Sequence, residues 1–78
     1  MQNMFELQAR YDSRKSFYGK AHVVDKGNGV LELISYTTPV AEIKNGKVVY
    51  EKIGVYSVTT NRHIREFIKQ FAYDEKEV

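Results

Sequence analysis

Residues 40–53, VAEIKNGKVVYEKI, decide the fold. Asn45 and Gly46 both tolerate the positive φ required at the two central positions of a type I′ turn, so the pair predicts a tight hairpin. Its arms are strands over residues 40–44 and 47–53. Pro39, just upstream, has no N–H for a ladder bond and places residues 37–39 at a bend, bulge or sheet edge.

The same pattern repeats toward the N-terminus. Lys26-Gly27-Asn28-Gly29 supplies the residue types of a second tight turn, leading into a strand over residues 30–36. Residues 17–24 are rich in aromatic and β-branched side chains and predict another strand, preceded by a polar turn over residues 12–16. Across residues 4–11, Phe5, Leu7, Ala9 and Tyr11 alternate with Glu6, Gln8 and Arg10, the period of a strand with one face on a core.

Toward the C-terminus the period changes. After Gly54 and an extended stretch over residues 55–58, Ile64, Phe67, Ile68 and Phe71 fall at i, i+3, i+4 and i+7 within residues 61–73. That stripe predicts an amphipathic helix with Thr59 or Thr60 as N-cap. The expected architecture is α+β, an antiparallel sheet of about five short strands closed by one C-terminal helix. Residues 1–78 form one domain, with 74–78 a frayed tail, because a chain this short buries only about 60% of its unfolded surface.

Composition agrees with a packed core and narrows the chemistry. Hydrophobic residues make up 42% of the chain and aromatic residues 13%, too much apolar area for a disordered chain. There is no cysteine, which removes disulfides, thiolate zinc sites and thiol catalysis. No apolar run approaches the roughly 20 residues of a membrane span, and the N-terminus lacks a signal-peptide pattern, so a cytoplasmic protein without a membrane partner is expected.

The net charge of +2 is small but unevenly spread, with a basic start, a basic helix and an acidic tail. Arg62, His63 and Arg65 near the helix start place positive charge at the positive end of the macrodipole, and Asp74, Glu75 and Glu77 place acids at the negative end. Backbone N–H groups, Thr59, Thr60, Arg62 and Arg65 would together make an anion-binding corner, with Lys69 further along. The competing reading is that Arg62, Arg65 and Lys69 are a solvated helix face. Arg14 and Lys15, followed by Tyr18, form a second basic and aromatic surface to which Tyr36 and Tyr56 can contribute, although such aromatics also serve as cross-strand pairs.

Catalytic constellations are sparse. His22 and His63 could meet in space, but no metal-ligand spacing accompanies them, and Ser35, Ser57 and Thr59 lack a nucleophile-elbow context. No metal, cofactor or catalytic residue is assigned. An enzyme would have to use His63 with a nearby Tyr or Glu as an acid–base pair.

Two segments carry a resemblance. Residues 35–41, SYTTPVA, and residues 56–70, YSVTTNRHIREFIKQ, resemble small proteins of unknown function from phages and mobile elements of Gram-positive bacteria. Those proteins share an S-Y-x-T-x-V-A strand and a Y-S-x-T-T-x-R-H-I-x-E-F helix start. The resemblance singles out Ser35, Tyr36, Thr38, Tyr56, Ser57, Thr59, Thr60, Arg62 and His63. It implies no activity, and threonine caps or a His63 bond to the sheet would also explain these positions. The expectation is a non-enzymatic binding module, acting on nucleic acid through the basic helix start or on a host protein, with homodimerisation through exposed edges a further expectation.

Overall fold

The computed structural model describes residues 3–12, 17 and 19–74. Five strands, β1 (Asn3–Glu6), β2 (Ala21–Gly27), β3 (Val30–Ser35), β4 (Thr38–Lys44) and β5 (Lys47–Glu51), precede one helix, α1 (Val58–Phe71). The strands form one antiparallel sheet in chain order, β1 to β5. Tight two-residue turns join β2 to β5 as a meander, and β1 pairs with β2 across a longer connection over residues 7–20.

The three hairpin turns hold the non-glycine residues with positive φ. Asn45 (φ 52°) and Gly46 (φ 81°) make the turn between β4 and β5, and Asn28 (φ 56°) with Gly29 (φ 79°) makes that between β2 and β3. Tyr36 (φ 59°) opens the turn between β3 and β4. Pro39 lies within β4, opposite Ile34, where the register shifts by a bulge after Leu33. A second shift between Glu42 and Ile43 marks the β4–β5 ladder.

Several boundaries differ from the sequence expectation. The first strand ends at Glu6 and not Tyr11, because the chain leaves the sheet after the Leu7 N–H bonds Ala21 O at 2.9 Å. Its alternation persists, with Leu7 buried and Gln8 exposed, because one side of this stretch packs inward without a strand partner. The second strand begins at Ala21, yet Phe17 is still a core residue, its ring 4.7 Å from that of His63. The fifth strand stops at Glu51. The helix starts at Val58, three residues before the predicted Asn61.

The core is the space between α1 and one sheet face, filled by Leu7, Val23, Leu33, Ala41, Ile43, Ile64 and Phe67. Each fully buried aliphatic or aromatic side chain of this kind stabilises the fold by roughly 1.5–3 kcal/mol before entropy is counted. The helix runs back along the sheet so that its start meets the end of β3 and its last turn meets the β4–β5 turn, where Asp74 N–H donates to Gly46 O at 3.0 Å. No helix among the described residues is long and apolar enough to cross a membrane.

Candidate functional site

The helix is capped by Ser57, not by Thr59 or Thr60. Ser57 is extended (φ −74°, ψ 167°) and its Oγ accepts from Thr60 N–H at 3.3 Å. With the helix beginning at Val58, the first turn holds no acid, and Arg62 and Arg65 fall in later turns where the macrodipole is weak. Lys69 occupies the last turn, the favourable end for a cation. The reversed charging expected from the sequence therefore does not occur within the helix.

The two motif segments meet as a buried polar seam. Ser35 Oγ, at the end of β3, hydrogen-bonds His63 Nδ1 at 2.8 Å and Thr60 Oγ1 at 3.2 Å. All three residues are buried. Because Thr60 turns its hydroxyl to the sheet, its side chain does not join an anion-binding corner at the helix start, and Thr59 is only half-buried beside it. His22 does not join His63. Its strand neighbours Ala21 and Val23 fill the core under the helix, so strand alternation turns His22 to the opposite face. Among the described residues no three His, Asp or Glu groups converge as a metal site.

Glu66 is the residue that sequence reasoning passed over. It is 2% exposed, yet its carboxylate is satisfied. Tyr11 N–H donates to Oε1 at 2.9 Å and Oε2 at 3.1 Å, and Asp12 N–H donates to Oε1 at 2.9 Å. Gln70 Nε2 donates at 2.6 Å to Oε2 and at 2.6 Å to Gln8 O. A helix carboxylate thus fastens the segment that follows β1. The legible signal was the polar row His63, Glu66, Gln70 at i, i+3 and i+7, flanking the apolar stripe.

This fastening builds a cleft of about 270 Å³ lined by Tyr11, Asp12, Arg62, Arg65, Glu66 and Lys69. Arg62 Nη1 donates to Asp12 Oδ1 at 3.1 Å, which fixes one wall. Arg65, Lys69 and Tyr11 are the exposed residues of its lining. Both carboxylates of the cleft are engaged within the protein, so the charge offered outward is positive. The structure thus brings Arg62, Arg65 and Lys69 together along the helix flank. Arg14, Lys15 and Tyr18 lie outside the described residues.

The remaining aromatic candidates sit at the end of the sheet where α1 begins. Tyr36 is half exposed, and Tyr56 stands with Val55 and Val58 in an exposed apolar stretch at the helix entry. The opposite sheet face carries a different polar cluster. Lys26 Nζ lies 3.3 Å from Glu32 and 3.6 Å from Glu42, and Tyr50 donates its hydroxyl to Glu32 at 3.2 Å. Burial, then the charge of Glu32, push the Tyr50 phenol up to about 12.

A family described as a family of unknown function (DUF8033) matches residues 5–78. Neither a curated protein nor a solved structure matches the chain.

Proposed function

The chain belongs to the DUF8033 family of unknown function, and we propose from its cleft geometry that it is a non-enzymatic module binding the phosphates of nucleic acid. The observation that carries this reading is the charge balance of the α1 flank. Asp12 is paired with Arg62, and Glu66 is enclosed by backbone donors, which leaves Arg65 and Lys69 exposed in a cleft that the exposed Tyr11 also lines. Cations beside an aromatic rim are the elements of a phosphate-tracking surface. The motif resemblance supports an origin in a phage or mobile element and action in the cytoplasm of a bacterial host.

Two solvent-facing cations on one flank predict modest affinity with clear salt dependence, a slope of about −1.4 in log affinity against log salt on a single strand. Fluorescence anisotropy of labelled oligonucleotides tests this. The double variant Arg65→Glu/Lys69→Glu should lose binding at low salt. Wild-type protein that binds no strand under those conditions would remove the reading.

A second reading rests on Val55, Tyr56 and Val58, which are 65%, 44% and 73% exposed. An apolar stretch at the helix entry suits a protein partner, with Tyr56 as anchor, and would fit a module that binds or inhibits a host factor. Binding through it would be weakly salt-dependent and insensitive to the Arg65→Glu/Lys69→Glu change.

A further inference from the structure

Each of the three hairpin turns contains a non-glycine residue with positive φ, and two of these are asparagine, which tolerates the left-handed region. The third is Tyr36, at φ 59°. A bulky aromatic there is a true outlier, and burial does not compensate for it, because Tyr36 is 51% exposed. A strained residue kept at the surface, where asparagine or glycine would be relaxed, points to use of the side chain itself.

The surroundings of the ring say what that use is. The Tyr36 N–H donates to Lys20 O at 2.7 Å, and Lys20 Nζ stands 5.7 Å from the ring centroid. On the inner side the ring lies 6.0 Å from that of His63, at an interplanar angle of 45°, which holds it at a set tilt. His63 is buried against the sheet, so the Tyr36 ring lies at the sheet end where α1 docks. A half-exposed aromatic ring held at a set tilt, with a lysine ammonium over it whose flexible stem can swing aside, matches how unpaired bases and their phosphates are held.

We propose that Tyr36 is a stacking platform for an unpaired base, with Lys20 taking the adjacent phosphate, so that the protein selects single-stranded over duplex nucleic acid. This rests on the phosphate-binding reading and adds its selectivity. The sheet turn supplies the base contact, and the α1 flank supplies the sequence-independent attraction.

The test is anisotropy with labelled oligothymidine, oligouridine and a duplex of equal length, on wild type, Tyr36→Asn, Tyr36→Phe and Arg65→Glu/Lys69→Glu. Asparagine accepts the turn geometry, so Tyr36→Asn should fold with an unchanged or higher melting temperature. It should bind both single strands about tenfold more weakly, with duplex affinity unchanged. Tyr36→Phe should keep wild-type affinity. Unchanged single-strand binding by Tyr36→Asn, alongside loss in Arg65→Glu/Lys69→Glu, would overturn the platform and leave the phosphate reading standing. No binding of any probe by wild type would overturn both. A preference for only one of the two single strands would assign the platform to DNA or to RNA.

Discussion

His63 Nδ1 and Ser35 Oγ stand 2.8 Å apart inside the protein, joining the second turn of α1 to the last residue of β3. In an open site this would be the geometry of a base and its nucleophile. Here Ser35 is 2% exposed and His63 1%, with the Phe17 ring against the imidazole. The pair is placed to fix how the helix docks, because a hydrogen bond in an apolar interior is directional and an apolar contact is not.

Ser35→Ala therefore tests docking. It removes a hydrogen-bond partner from both His63 Nδ1 and Thr60 Oγ1, and should cost about 1–3 kcal/mol in urea denaturation. Because the hydroxyl is enclosed, a serine-directed fluorophosphonate should leave the native protein unlabelled in a mass-spectrometric assay. Labelling at Ser35 would reopen catalysis.

Glu66→Ala should be among the most damaging single changes. Two backbone N–H groups, Tyr11 and Asp12, lose their acceptor, and Gln70 loses one of its two. The loss should reach about 3 kcal/mol, since a hydrogen bond to a charged group contributes about 1.5–3 kcal/mol. Glu66→Gln should recover only part, because its amide turns donors toward donors. Amide exchange at Tyr11 and Asp12 reports the local effect, and unchanged protection there would contradict it.

The sheet and helix were legible because they rest on local rules. Asn45-Gly46, Gly27-Asn28-Gly29 and the stripe of Ile64, Phe67 and Phe71 each carry their instruction within a few residues. The site was less legible because its determinants are non-local. Nothing near Glu66 in the sequence says that its partners lie at Tyr11 and Asp12, and the same holds for Asp12 and Arg62. Even the cap was misplaced, because Ser57, Thr59 and Thr60 are all good N-caps. The choice among them follows from Thr60 bonding across to Ser35.

Arg62 and Arg65 should differ in how their charge reversal affects stability. Arg62→Glu breaks the 3.1 Å pair and sets two acids together, and should lower stability by about 1 kcal/mol. Arg65→Glu touches no described partner and should change stability by no more than about 0.5 kcal/mol. Both should weaken oligonucleotide binding, so thermal melts beside anisotropy separate the structural arginine from the ligand-facing one. Equal destabilisation by both would contradict the assignment.

Gly46 is constrained twice. Its φ of 81° disfavours a side chain, and a Cβ there would lie 2.6 Å from the Tyr73 ring. Tyr73 is exposed and can swing aside, so Gly46→Ala should cost about 1–2 kcal/mol, mostly from the backbone. Combining it with Tyr73→Ala should cost less than the sum of the two single changes. Strict additivity in a double-mutant cycle would show that the ring does not rest on the turn.

Tyr50 gives a signature at high pH. Its phenol sits partly buried beside Glu32 and Glu42, so the folded protein holds the proton up to about 12, against an ordinary value of 10.0. The folded value is raised, so the contribution of this group to stability is complete below about pH 10. It is lost as pH climbs from there through about 12, where the unfolded chain ionises first. Absorbance titration at the phenolate band should therefore show a step delayed toward about 12, and that late step should vanish in Tyr50→Phe. Glu32→Gln removes both the nearest charge and the carboxylate acceptor, and should move the step toward the ordinary value without abolishing it, since burial remains the largest cause. A late step that survives Tyr50→Phe would place the perturbed phenol elsewhere and dissolve the polar cluster on this face as its cause.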